Sequence, residues 1–403
     1  MSTRPALLFY CQHAMGMGHL VRSLALADAL TDRFRVVLLN GGLMPPDIRL
    51  PERLEIINLP PLGLDNSRLV SRDGGNLEQA KSDRQELILK TFRSLRPEVL
   101  LIELFPFGRK KFEFELLPLL EESQKQIADR PLVACSLRDI LVSSRRNQEG
   151  YEERAVTIAN RYFDAIMVHS DPTFARLEES LRTSARLLPA IHYTGFVVGQ
   201  RPPCKQTTSG QHGPILVSAG GGLYGAPLFK TAMAAHALLT KAEKAKLKVV
   251  AGPFLPDREW EALQAAAGSR QGIQLTRSVP DLFEELRGAS ASISQCGYNT
   301  ALEIVQAGVP ALVVPFADGG EDEQMKRARR LEQLGAVRVL DQNKMTPLRM
   351  ADEIGALLNF HPQTPRLDLN GAQRSAEILE TLMRARVAER QPTRAKEMSG
   401  WQV

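Results

Sequence analysis

Cysteine is sparse in this chain, and the four present, Cys11, Cys135, Cys204 and Cys296, form no CxxC pair and no Cys/His ligand spacing. Neither a structural zinc module nor a disulfide framework is expected. Aromatics are few at 6%, and no arginine-rich block interleaves with them. The net charge of +5 and pI near 9.0 are dilute over 403 residues, so nucleic acid is not an expected partner. A nucleotide diphosphate or an anionic membrane surface answers the same charge excess. No run approaches the ~18 uninterrupted apolar residues of a membrane span. The apolar start from Ala6 to Cys11 is too short for a signal peptide and runs straight into Gln12 and His13. A cytoplasmic protein is expected, at most peripheral to the inner face of a membrane. There is also no Asp-x-Asp pair, and neither a metal nor another cofactor is expected.

What is present is the composition of a globular protein, 43% apolar and 24% charged. The length exceeds what one hydrophobic core usually serves, so two domains are expected. Short apolar runs alternate with amphipathic segments: Ala6 to Cys11, Arg35 to Leu39, Leu54 to Asn58, Val99 to Glu103, Leu132 to Ser136 and Ala165 to His169. That spacing suits βα units on a parallel sheet covered on both faces, an α/β fold. A stretch rich in Pro, Gly, Ser, Thr and Gln, from Gln200 to Pro214, reads as a linker, after which the alternation resumes at Ile215 to Ser218 and runs to Ala336 to Leu340. The expected division is 1–197, a linker at 198–213, 214–365, and a terminal helix within 366–388, clearest from Gly371 to Ala388. A polar, basic tail at 389–403 is expected to be flexible.

The first strand runs into Gln12-His13-Ala14-Met15-Gly16-Met17-Gly18-His19, followed by the apolar face of a helix at Leu20, Leu24 and Ala27. Gly16 and Gly18 permit a tight strand-to-helix turn and the close approach of a ligand, and the helix start favours negative charge. His19 sits at that mouth. In a parallel sheet it faces the crevice where such folds bind ligands, and imidazole can act as a base near neutral pH. The same GxGH is equally a turn whose histidine caps the helix, and Arg22, one turn on, is either a contact to a phosphate or a carboxylate or a solvated helix residue.

The densest pattern lies from Ala291 to Ala328. A strand ending near Gly297 and a helix beginning near Asn299 present free backbone N–H groups, with the Asn299 and Thr300 side chains, at a positive helix end. Such an end suits a pyrophosphate. Glu303 falls one turn inside, where a carboxylate can accept both hydroxyls of a ribose.

This segment closely resembles the donor-binding box of GT-B glycosyltransferases. Their small-molecule members carry His-Cys-Gly-Trp-Asn-Ser-x-x-Glu, and their MurG-like members, with the family 28 type of C-terminal domain, carry a related Ser-Gly-x-x-Thr-x-x-Glu. The chain matches at Cys296, Gly297, Asn299 and Glu303, and has Gln295 for His, Tyr298 for Trp and Thr300 for Ser. The resemblance implies two Rossmann-like domains facing across a cleft, with a C-terminal helix packing back on the first. It implies a nucleotide-sugar donor, UDP-linked and GlcNAc-like or another hexose, whose ribose meets Glu303. Gly297, Asn299 and Thr300 receive the diphosphate, with Tyr298 in the same donor-binding turn and Glu323 and Gln324 at the sugar hydroxyls. Gln295 departs from the pattern, since an amide cannot be cationic. By the same resemblance Ser218, Gly220, Gly221 and Gly222 form a phosphate loop, Val279 pairs with the base through its backbone, and Gly16 and Gly18 lie on the donor side.

In the first domain, Glu103 ends a strand on the crevice side, where it orients His19, binds acceptor or caps the next helix. Arg138 and Asp139 follow another strand end and stand as acceptor-binding candidates. The segment from Phe105 to Phe114 mixes aromatics with Arg109, Lys110 and Lys111, which suits a membrane surface or greasy acceptor, or else a loop with a solvated charge run. The expected activity is an inverting, metal-independent sugar transfer with His19 as base or orienter, to a small-molecule, lipid-linked or glycan acceptor. Gly18-His19-Leu20-Val21-Arg22 also resembles the GHxxR loop of a nucleotide-sugar hydrolase of the same fold. A hydrolase, an epimerase and a non-catalytic sugar-nucleotide binder therefore stand as alternatives.

Overall fold

The computed structural model describes residues 4–13, 17–45, 48–65, 68–125, 129–199, 213–240, 245–268, 270–317 and 321–399. Most of the expected linker, 200–212, lies outside the described residues, as does Gly16.

The first domain begins with β1 (Ala6–Cys11), α1 (Gly18–Leu30), β2 (Arg35–Asn40) and β3 (Glu55–Asn58), then a hairpin of β4 (Leu62–Asp65) and β5 (Arg68–Ser71). It continues through α2 (Leu77–Leu95), β6 (Val99–Glu103), α3 (Glu113–Lys125), β7 (Leu132–Arg138), α4 (Gln148–Tyr162), β8 (Ala165–His169) and β9 (Ala190–Tyr193). Seven strands form a parallel sheet in the order β3-β2-β1-β6-β7-β8-β9. The central strands are continuous apolar runs because both faces are covered: Leu7 to Cys11 and Val99 to Ile102 have no exposed surface. Chain direction across the sheet reverses between β1 and β6, opening a crevice at their carboxyl ends.

The second domain repeats the plan with β10 (Ile215–Ser218), α5 (Ala226–His236), β11 (Leu247–Val250), α6 (Asp257–Ala267), β12 (Ile273–Thr276) and α7 (Leu282–Gly288). After these come β13 (Ala291–Ser294), α8 (Tyr298–Ala307), β14 (Ala311–Val313), α9 (Glu323–Gln333), β15 (Arg338–Val339) and α10 (Pro347–Leu358). The six-stranded order is β12-β11-β10-β13-β14-β15, so its switch point falls between β10 and β13. Gly297 precedes α8 in an extended conformation and Gly308 closes it at φ +63, a left-handed position that glycine takes without strain.

The final helix, α11 (Gly371–Ser399), returns to the first domain. Its Ala372, Ala376, Leu379 and Met383 join Leu20, Leu24 and Ala27 of α1 in one core, and an antiparallel bridge from Val197 to Asn370 fixes the crossing. The helix runs to Ser399, past the expected helix boundary at 388. In the segment from Phe105 to Phe114, Phe105, Phe107 and Phe112 are buried in the first domain's core, and Phe114 is half-buried against it. Among the described residues no helix is long and apolar enough to cross a membrane.

Candidate active site

The switch point of the first sheet brings together residues that are far apart in sequence. Glu103 ends β6 and His19 opens α1 beside β1, and the carboxylate Oε1 lies 2.6 Å from His19 Nδ1. The same oxygen accepts from Arg22 Nη2 at 2.6 Å, while Oε2 accepts from Arg109 Nη2 at 3.0 Å and Nε at 3.3 Å. Leu104, directly after Glu103, has φ +65 and Arg109 has φ +59, left-handed positions that bulky residues adopt only when their surroundings hold them there. The loop they shape turns Arg109 back onto the strand end it left.

Glu103 has no exposed side-chain surface. Burial pushes its carboxyl up, but His19, Arg109 and Arg22 outweigh that and hold it well below the usual carboxylate range. For His19, burial is the largest cause keeping its pKa below the ordinary histidine value; Arg109 and Arg22 push the same way and Glu103 opposes them. Two arginines against one carboxylate already leave the cluster cationic, so a further proton on the ring is disfavoured. An ionised carboxylate can only accept, which places the single ring proton on Nδ1 and leaves the Nε2 lone pair available. With 22% of its side chain exposed, His19 is open to the cleft.

The second domain meets this cluster directly. Asn299, in the first turn of α8, donates from Nδ2 to the Gly18 carbonyl at 3.0 Å. The N-terminal ends of α1 and α8 therefore converge, and two sets of unsatisfied N–H groups face one space. Gly297 caps α8 with free room above it, and Thr300 is buried in the first turn. Across from them Ser218 ends β10, its hydroxyl buried without a partner, and Gly220, Gly221 and Gly222 follow. Gly222 has φ +88, and a Cβ there would stand 2.0 Å from the Ala251 carbonyl oxygen, so the loop lies flat against 251–252.

Glu303 and Asn299 line a cavity of about 670 Å³ between α8 and α1, bounded by Val21, Leu24, Pro51, Val197 and Val198 and with Arg22 in its wall. Val279 does not line it; that residue is half-buried against the second domain's core. Gln324 Oε1 accepts from the backbone N–H groups of Cys296 and Phe316, 3.1 Å each, tying β13 and β14 ends to α9. No group of three or more His, Cys, Asp or Glu among the described residues is placed to hold a metal ion.

Four expected site residues make contacts across the domain interface. Asp139 is fully buried, and both its oxygens accept from Arg327, at 2.8 Å each, so it presents nothing to an acceptor. Arg138 donates to Glu323 Oε1 at 2.7 Å, and Glu323 Oε2 lies 3.3 Å from Arg327 Nη2. The carboxylate assigned to sugar hydroxyls is thus held between two guanidiniums. Tyr298 is buried too: its hydroxyl accepts from the Val197 N–H at 2.8 Å and donates to the His169 carbonyl at 3.1 Å. Its ring lies between the Arg22 and Arg327 guanidiniums, 5.1 and 5.9 Å from the centroid, and against Phe196. An aromatic ring that also carries a hydroxyl suits this strut, because it spans two cations and still satisfies two backbone groups. Arg109 and Arg327, which organise the two clusters, carried no sequence signal beyond their charge.

Residues 217–382 match the glycosyltransferase family 28 C-terminal domain. Over 142 residues the chain is 34% identical to the UDP-N-acetylglucosamine–N-acetylmuramyl-(pentapeptide) pyrophosphoryl-undecaprenol N-acetylglucosamine transferase of Rhodospirillum rubrum, covering 34% of this chain and 36% of that enzyme. The corresponding enzyme of Methylibium petroleiphilum is 29% identical over 189 residues, 47% of this chain and 49% of its own length. The chain therefore spans about half, or less, of the length of these curated relatives. Among solved structures, the calicheamicin glycosyltransferase CalG4 aligns with a TM-score of 0.55 at 15% identity, covering 99% of this chain and 98% of its own. MurG of Acinetobacter baumannii aligns with a TM-score of 0.53 at 17% identity, covering 94% and 100%.

Proposed function

We propose that this chain, GT-B in fold and carrying a family 28 C-terminal domain, transfers a sugar from a nucleotide-sugar donor to an acceptor hydroxyl or amine with inversion and without an obligatory metal. The observation that carries the reading is the meeting of the His19–Glu103 pair with the start of α8, joined through Asn299 Nδ2 and the Gly18 carbonyl at 3.0 Å. His19 Nε2 takes the proton of the acceptor nucleophile as it attacks the anomeric carbon. The bond from that carbon to the donor oxygen breaks, and the nucleoside diphosphate leaves with the bonding pair toward Gly297, Asn299 and Thr300. Backbone N–H groups and the α8 dipole stabilise the charge that develops there. Glu103 remains ionised, holds the ring tautomer and stabilises the imidazolium that forms.

Glu303 is the contact for the ribose diol. The family match lies in the donor half, so UDP-linked N-acetylglucosamine, the donor in the relatives' names, is the first substrate to test. Val279 as base contact, Gln324 at the sugar, and Ser218 with Gly220 to Gly222 at the phosphates complete the proposed donor site. The acceptor stays open among small molecules, lipid-linked intermediates and glycans.

The test incubates the protein with UDP-, dTDP- and GDP-sugars and follows nucleotide release with and without cell extract. Release that requires the extract is expected, and full-rate release without it would replace transfer by hydrolysis. His19→Ala should lower release at least tenfold while leaving UDP affinity unchanged; unchanged turnover would remove His19 from the chemistry.

A further inference from the structure

Beyond β10 and β14 the second domain exposes an aromatic pair that the proposed chemistry does not use. Tyr224 and Phe316 stack with centroids 5.0 Å apart and planes inclined by 28°, and Tyr224 keeps 45% of its surface exposed. Both rings are anchored at their backbones. Gln295, at the end of β13, donates from Nε2 to the Tyr224 carbonyl at 3.4 Å, and Phe316 N–H donates to Gln324 Oε1 at 3.1 Å.

Their place in the fold separates them from the nucleoside. Glu303 looks from the flank of α8 into the cavity under α1, whereas Tyr224 and Phe316 sit at the strand ends beside Gln295 and the start of α9. Gln295 and, through Gln324, Cys296 tie the pair to the residues just before Gly297, where α8 begins. A donor whose diphosphate rests on that helix start and whose ribose reaches Glu303 sends its sugar toward the aromatic pair. A pyranose ring has an apolar C–H face that packs on an aromatic surface, with its hydroxyls left to polar groups at the edge. Glu323, the first residue of α9, is engaged by Arg138 and Arg327, while the amides of Gln324 and Gln295 lie beside the aromatic pair.

We propose that Tyr224 and Phe316 form a stacking platform for the donor's sugar ring, and so contribute to donor choice. The proposal rests on the donor reading above. Its test is calorimetric titration of the wild type, Tyr224→Ala, Phe316→Ala and Tyr224→Phe with UDP, UDP-N-acetylglucosamine and UDP-glucose, each variant being checked for an unchanged melting temperature. The alanine variants should lose about tenfold in affinity for whichever UDP-sugar the wild type prefers over UDP. Their affinity for UDP should hold within about twofold, and Tyr224→Phe should bind like the wild type, since the ring and not the hydroxyl makes the platform. Equal losses for UDP and UDP-sugar would move the pair to the nucleoside or the loop and overturn the proposal, as would no loss at all. A wild type that binds neither UDP nor any UDP-sugar would instead fail at the donor reading, and the platform would fall with it.

Discussion

Replacing Glu103 by glutamine keeps the shape of the side chain and removes its charge. In the wild type that charge is shared by His19 and Arg22, both 2.6 Å from Oε1, and by Arg109, 3.0 Å from Oε2. Glutamine offers one acceptor and a two-hydrogen donor where three donors converge, so at least one donor faces another. Arg22, 2% exposed, is left as a buried cation without its anion. Breaking a buried ion pair by removing one partner costs about 3–5 kcal/mol, which lowers the melting temperature of a domain this size by roughly 10 °C. Chemistry suffers separately, because an amide can still accept from Nδ1 but does not stabilise the imidazolium. A loss of about 10² in turnover is expected, within the range for general base catalysis. Thermal unfolding and nucleotide release from UDP-sugar with extract, both run well below the lowered melting temperature, read the two effects. A variant that melts like the wild type would refute the ionic cluster. One that melts early yet turns over at more than a third of the wild-type rate would refute Glu103 as the partner of a catalytic His19.

Glu303→Ala should weaken UDP binding by at least tenfold and leave the melting temperature nearly unchanged, and unaltered UDP affinity by titration would displace the ribose from this carboxylate. Asp139→Asn should destabilise the protein by about 3 kcal/mol in chemical denaturation, because it removes the bidentate anion of the buried Arg327 guanidinium and leaves it only Glu323 at 3.3 Å; a change under about 1 kcal/mol would show the domain contact to be dispensable. Acid should also destabilise the fold before the carboxylates titrate. Burial lowers His13 to about 4 and His169 to about 3. The unfolded chain therefore takes up these protons first, stability is full above pH 6.5, and it declines as pH falls toward the folded values. The two histidines together account for on the order of 3 kcal/mol between pH 6.5 and 5. Denaturation midpoints that stay flat over that interval would refute it.

The alternation of apolar runs determined the two α/β domains from the sequence alone, because a strand buried on both faces must be apolar throughout and a helix between such strands must cover them. The glycine-rich starts of α1 and α8 were legible for a related reason: only glycine-rich turns let a helix begin so close to a strand end. Glu303 and Asn299 could be placed on one face of α8 by counting along the helix, and the structure puts both on one cavity wall. Partner choice was not legible. Glu103 meets His19 across a separation of 84 residues because the strand order sets β6 beside β1, and Arg109 joins them through a loop bent by two left-handed residues. Asp139, Arg138, Glu323 and Tyr298 looked from sequence like surfaces awaiting a ligand. Closure of one domain on the other turned them into ion pairs and a strut, since a charged or hydroxyl-bearing side chain removed from water at an interface must find its partner there. A periodic pattern reports which face of an element is buried, and only the packed tertiary structure decides what it is buried against.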